Sequence, residues 1–224
     1  MNGEFAEDEF GNIHYVRDNG SPIRIAIDGH PRQGNQYLRF LMLSSFPEID
    51  IPYQLSHNLD DIKKQIDQGL SVFMTLREPL GCMTSLISDL AYSPNYLSHS
   101  SLDEFRSFMY EEFGNKYIEN KFSEYIKITE FIIANINKIT VVNFEILKNT
   151  PEKILAELLG KNLGINRSPL AVNAKEKTYS SSRIDISVHL LSGKFANILE
   201  SAKSAHDEAF LLSKKQWLLK NLYP

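Results

Sequence analysis

Four side chains stand where a parallel-sheet protein does its chemistry. Arg32, His57, Arg77 and Glu145 follow short apolar runs ending at Asp28, Leu55, Leu76 and Phe144. Arginine offers a planar fork of donors that matches phosphate oxygens. Histidine is the side chain best suited to take a proton near neutral pH. Arg32 lies inside Gly29-His30-Pro31-Arg32-Gln33-Gly34, a glycine-bounded turn. Before it, Ile25, Ala26 and Ile27 read as a short buried strand; after it, Tyr37, Leu38, Leu41 and Met42 recur at helical spacing. A strand, a tight loop and a helix put backbone N–H groups at a helix N-terminus. There the donors and the dipole both favour an anion.

The spacing Gly29-x-x-x-x-Gly34 matches the first half of a nucleotide P-loop. The second half calls for lysine and then serine or threonine, where this chain has Asn35 and Gln36. The phosphate-reaching lysine and the Mg²⁺-binding hydroxyl are both missing. What remains is a cradle with a cation, Arg32, inside it, suited to an anionic ligand that needs no metal. The alternative is an ordinary strand-to-helix turn.

The elements that position these residues alternate. Residues 1–22 are a polar, acidic lead-in closed by Asn19-Gly20-Ser21-Pro22, a strong turn signal. The domain then runs over 23–224. After the first strand and helix come a candidate strand at 49–55, weakened by Pro52, and a helix at 59–68 capped by Asn58 and ended by Gly69. A buried strand covers 71–76 and runs into Arg77-Glu78-Pro79 and a helix over 80–90, which carries Ser85, eight residues past Arg77. Residues 91–101 read as a loop, 102–113 and 117–136 as helices, and 140–144 as another buried strand. A helix over 151–163 begins at Pro151. Residues 161–182 are a loop or lid, and helices over 186–222 close the chain. The expected fold is α/β: a single P-loop-type domain with a central, mainly parallel sheet flanked by helices and a helical C-terminal part. Ligands in such sheets bind outside the carboxyl ends of the strands.

Composition narrows the function classes. The chain has 224 residues and a net charge of −4, which argues against general binding to nucleic acid or an acidic membrane. Its single cysteine, Cys82, excludes an internal disulfide framework and reads as a small buried hydrophobe. The acidic N-terminus is no secretory signal, and no run is apolar enough to span a bilayer, so the expected location is cytoplasmic. The histidines at 14, 30, 57, 99, 189 and 206 form no pair at metal-ligand spacing, and no metal site is expected.

In motif order the chain resembles the P-loop sulfotransferases, which transfer a sulfuryl group from 3′-phosphoadenosine 5′-phosphosulfate (PAPS). Pro31-Arg32-Gln33-Gly34-Asn35-Gln36-Tyr37-Leu38 stands in the register of that family's first motif, Pro-Lys/Arg-Ser-Gly-Thr-Thr-Trp-Leu. Arg77-Glu78-Pro79 with Ser85 matches its second. Leu55-Ser56-His57 resembles the segment with the family's histidine, and 142–147 its Tyr-Glu-Asp-Leu segment. The likeness covers residues 23–164 and is one of fold level. Gln33, Asn35 and Gln36 replace hydroxyl residues, Leu55 replaces a lysine, and Phe144 lacks a tyrosine hydroxyl. The C-terminal Arg-Lys-Gly segment is missing; Lys175, Lys177 or Arg183 are the candidates to replace it.

The resemblance implies that backbone amides of Gln33, Gly34, Asn35, Gln36 and Tyr37 hold the 5′-phosphosulfate and that Arg32 neutralises charge on the bridging oxygen. It further implies that Arg77 and Ser85 hold the 3′-phosphate, that Tyr37 stacks on adenine, and that His57 is the general base. The product is PAP, no metal is needed, and the acceptor is a small molecule or glycan offering a hydroxyl or amine. Nucleic acid and membrane are not expected partners, and the oligomeric state is open. The rival readings are a divergent P-loop nucleotide kinase and a non-catalytic nucleotide-binding protein.

Overall fold

A computed structural model of the chain describes residues 3–7, 13–17, 24–46, 49–51, 57–90, 103–104, 107, 111–158, 163 and 181–222. The elements are β1 (Gly3–Glu7), β2 (Ile13–Arg17), β3 (Ile25–Asp28), α1 (Asn35–Ser45), α2 (Leu59–Asp67), β4 (Ser71–Leu76) and α3 (Pro79–Leu90). They continue with α4 (Glu112–Ala134), β5 (Ile139–Asn143), α5 (Phe144–Asn149), α6 (Pro151–Leu158), α7 (Ser181–Gly193) and α8 (Ala196–Leu222). The protein is mostly helical, with a small parallel sheet flanked by helices, an α/β arrangement. The chain divides into two compact units. The first comprises Met1–Gly29, Gly34–Leu76 and Asn137–Lys175; the second, His30–Gln33, Arg77–Ile136 and Glu176–Pro224.

The first unit is built on the three-stranded parallel sheet β3-β4-β5. Ile25 pairs with Ser71 and Val72 with Ile139, so β4 lies in the middle. All four residues of β3 are buried, as are residues 72–76 of β4. Burial without alternation is what a strand covered on both faces requires. Ile25, Ile27 and Phe73 meet Leu38, Leu41 and Met42 of α1 in the core, joined by Leu147 of α5 and Leu155 of α6. Helix α2 starts where the sequence predicts: the Asn58 side chain accepts a hydrogen bond from Asp60 N at 2.9 Å. It ends before Gly69, whose φ of 75° is cheap for glycine alone.

The second unit contains α3, α4, α7 and α8. Its core joins Cys82, Met83 and Ile87 of α3 to Phe122 and Tyr125 of α4 and Leu191 of α7. Helix α3 begins at Pro79, and the Glu78 carboxylate accepts from Gly81 N at 2.8 Å, capping the helix.

Several expectations need correction. Within the anticipated lead-in, β1 and β2 form an antiparallel pair running from Gly3–Arg17 to Glu7–Ile13. In the expected strand at 49–55, Asp50 makes an isolated parallel bridge to Arg24, and residues 52–56 lie outside the described residues. Phe144 opens a helix instead of ending a strand, because the Asn143 side chain accepts from Ile146 N at 3.0 Å and caps α5. Helix α6 is described as far as Leu158, and residues 159–162 of the expected helix lie outside the described residues. The loops expected at 91–101 and 161–182 fall outside the described residues apart from Leu163 and the start of α7; of the helix at 102–113, 103–104, 107 and 111–113 are described.

Candidate functional site

The carboxyl end of β3 is where the chain departs to opposite sides. β4 pairs with one edge of β3, and Ile25 N donates to Asp50 O at 3.0 Å from the other. Such a reversal marks the ligand crevice of open α/β sheets. Asp28 ends β3 with its side chain fully buried. One carboxylate oxygen, Oδ1, accepts from Gly29 N at 2.8 Å and from His57 N at 3.1 Å. The same oxygen lies 3.7 Å from His57 Nδ1. His57 has φ of 55°, a left-handed conformation uncommon outside glycine, and the Asp28 bond to its N–H holds it there. His57 Nδ1 faces Gly29 O at 2.5 Å. A carbonyl only accepts, so Nδ1 carries the proton and, in the neutral ring, Nε2 carries the lone pair. The His57 side chain is 29% exposed.

Helix α1 follows with Gly34 as its N-cap, at φ 100° and with no side-chain cap hydrogen bond. The first bond of its ladder runs from Leu38 N to Gly34 O, 2.9 Å. A Cβ on Gly34 would lie 2.1 Å from Phe144 Cδ2, so conformation and space both demand glycine there. Asn35 is buried and accepts from the Thr75 hydroxyl at the end of β4 in a short hydrogen bond. Gln36 is exposed. Tyr37 is half-buried, packed against the core and edge-on to Phe144 at 6.3 Å between ring centres.

In the second unit three predicted residues meet, although they are far apart in sequence. Arg32 Nε donates to Ser85 Oγ at 3.2 Å, and Arg77 Nη1 donates to Arg32 O at 3.2 Å. Arg32 itself has φ of 68°. The Tyr125 hydroxyl donates to Arg77 O at 2.7 Å, fixing the backbone from which the guanidinium projects. Gln33 is fully buried, and its Oε1 accepts from His30 N at 3.0 Å. Two guanidiniums and a hydroxyl form a donor set whose chemistry fits a phosphate or sulfate.

Behind this cluster the groups are neutral. His30 is fully buried, with Nδ1 2.9 Å from Pro31 O and Nε2 3.2 Å from Lys121 O. Burial lowers its pKa from 6.5 to about 4, against smaller raising effects of the Pro31 carbonyl and Glu124. Cys82 donates to Pro31 O at 3.3 Å, and burial pushes its thiol up to about 12 despite the nearby Arg77 and Arg32 charges. A thiol so held is no nucleophile, as its sequence setting suggested. Burial likewise raises the Tyr125 phenol.

Glu145 lies exposed in the first turn of α5. Leu55, Ser56, Lys175 and Lys177 lie outside the described residues, as does the side chain of Arg183. Among the described residues no three His, Cys, Asp or Glu side chains are grouped to hold a metal, and no helix is long and apolar enough to cross a membrane. Sequence reasoning missed Asp28 and Tyr125. The signal for Asp28 was a carboxylate closing an otherwise apolar strand; Tyr125 gave none, being a buried aromatic on a long helix. No family model matches the chain, and neither a curated protein nor a solved structure shows significant similarity to it.

Proposed function

We propose that the protein is a PAPS-dependent sulfotransferase of P-loop type acting on a hydroxyl or amine acceptor. The observation that carries the reading is the hydrogen-bonded set Arg32, Arg77 and Ser85. These are the residues that the two motifs single out on independent stretches of sequence, and their chemistry suits the phosphates of the donor. When bound, PAPS supplies an activated sulfuryl group. Arg32 offsets negative charge on the bridging oxygen. Arg77 and Ser85 take the 3′-phosphate. The uncapped helix start at Gly34 favours the 5′ anion. His57 Nε2 accepts the proton of the attacking hydroxyl.

The test is a thermal-shift panel with PAP, AMP, ATP and GTP, each with and without Mg²⁺, followed by PAPS turnover against a panel of acceptors. The expected result is stabilisation by PAP without Mg²⁺, and turnover that survives EDTA, because the lysine and hydroxyl that serve Mg²⁺-nucleotides are replaced by Asn35 and Gln36. Activity that disappears with EDTA and returns with Mg²⁺ would favour a kinase. PAP binding without turnover on any acceptor would leave a binding protein.

A further inference from the structure

We infer that Asp28 is the positioning residue of the proposed reaction: its carboxylate fixes the backbone and ring of His57 so that Nε2 is presented as the base. The inference rests on the sulfotransferase reading for the identity of the reaction and on geometry for everything else.

Three contacts converge on one oxygen. Asp28 Oδ1 accepts from Gly29 N at 2.8 Å and His57 N at 3.1 Å, and it faces His57 Nδ1 at 3.7 Å. The first two lock the chain on both sides of the ring. The Gly29 carbonyl, so held, receives Nδ1–H at 2.5 Å. A donated Nδ1–H leaves the lone pair on Nε2, and the tautomer follows from the backbone that Asp28 ties down. In the transfer step the acceptor oxygen forms the new bond to sulfur. The electron pair of the sulfur–oxygen bond that breaks leaves with the 5′-phosphate of PAP, and the acceptor's proton moves to Nε2. The ring then carries a positive charge with a buried carboxylate beside it. Asp28 keeps its two backbone bonds throughout and so holds the ring in place.

Two variants separate clamp from charge. Asp28→Asn keeps an oxygen able to accept both backbone N–H groups, whereas Asp28→Ala removes it. With ¹⁵N-labelled histidine, the imidazole shifts of His57 should report the Nδ1–H tautomer in the wild type and in Asp28→Asn, and a mixed population in Asp28→Ala. Turnover should fall at least tenfold in Asp28→Ala with the KM for PAPS changed less than about twofold, and Asp28→Asn should recover most of that loss. A wild-type ring in the Nε2–H tautomer overturns the inference whether or not Asp28→Ala folds. So does an Asp28→Ala protein with wild-type tautomer and rate, or equal rate losses in both variants with the tautomer unchanged. A wild type with the expected tautomer but no PAPS turnover rejects the sulfotransferase reading and the catalytic role with it, while upholding the positioning of His57.

Discussion

Two histidines, one in each unit, have surroundings that make them opposites. His57 in the first unit is partly exposed, held through Nδ1 by a backbone carbonyl and backed by the buried Asp28 carboxylate. His30 in the second unit is fully buried, has both ring nitrogens against carbonyl oxygens and keeps its neutral form down to about pH 4. The proposed base is the one open to solvent; the other is enclosed and held neutral. The residue type is the same, so the difference lies in burial and partners. Within the second unit the same contrast holds: Arg32 and Arg77 stand half-exposed, whereas burial keeps His30 and Cys82 neutral.

The contrast is broken hardest at His57. His57→Ala should cut PAPS turnover ~10²–10⁴-fold, the usual worth of a positioned base. PAP affinity and the urea midpoint should change little, since the side chain is partly exposed. Steady-state kinetics and calorimetry on one preparation check both halves. A near wild-type rate would remove His57 from the mechanism, and with it the functional side of the contrast.

His30→Ala should do the reverse and cost stability, about 2–4 kcal/mol, from a buried cavity and the loss of the ring's hydrogen bond. Urea unfolding measures it. The same ring predicts a pH dependence. Unfolded, it takes its proton at 6.5; folded, at about 4. Between those values the unfolded state binds more protons, so this contribution to stability is fully present above pH 6.5 and is lost as the pH falls toward 4. At about 1.4 kcal/mol per unit, the loss approaches about 3 kcal/mol at pH 4. The His30→Ala protein should lack this slope. An equal slope in both proteins would place the titration in another group.

Where the chain could be read, local chemistry decided the outcome. Asn58 and Gly69 bound α2 because a cap and a left-handed stop act within a turn of the helix. The apolar run at 71–76 could be read because a strand buried on both faces tolerates little else. The antiparallel pairing of 3–7 with 13–17 was hidden by its acidic surroundings, since charge is no guide to pairing. Phe144 was assigned to the wrong element, although Asn143 followed by Glu145 is a helix-start signature. Arg32, Arg77 and Ser85, singled out by motif register, stand within hydrogen-bond reach of one another. The Asp28–His57 contact could not be read from the sequence: it joins residues 29 apart and depends on a left-handed His57 that sequence periodicity does not encode. Tyr37, the residue expected to stack on adenine, is half-buried and packs against the core and Phe144, a setting that itself selects an aromatic side chain.

The smallest effect expected is the most specific. Arg77 projects from a backbone whose carbonyl is held by the buried Tyr125, and its Nη1 reaches Arg32 O. Those contacts fix the backbone beneath the guanidinium and one of its five N–H groups. If it reads the 3′-phosphate, the protein prefers PAP over AMP, which lacks that group. Truncating one partner of a buried charge pair typically costs ~2–5 kcal/mol; Arg77 is only partly buried, so the loss belongs at or below the low end. Arg77→Ala should therefore weaken PAP binding by about tenfold or more while leaving AMP binding nearly unchanged, and the PAP-over-AMP preference should narrow by the same factor. Tyr125→Phe is the companion variant: it removes the hydroxyl on Arg77 O but keeps the ring, and should cost PAP a smaller part of the same preference. Calorimetric titration of the three proteins with both nucleotides completes the cycle. Equal losses for PAP and AMP would move Arg77 to the 5′ end or to a purely structural role. A wild type without PAP preference would remove the 3′-phosphate from the second unit altogether, leaving Arg32 and Arg77 as anion binders without a nucleotide to read.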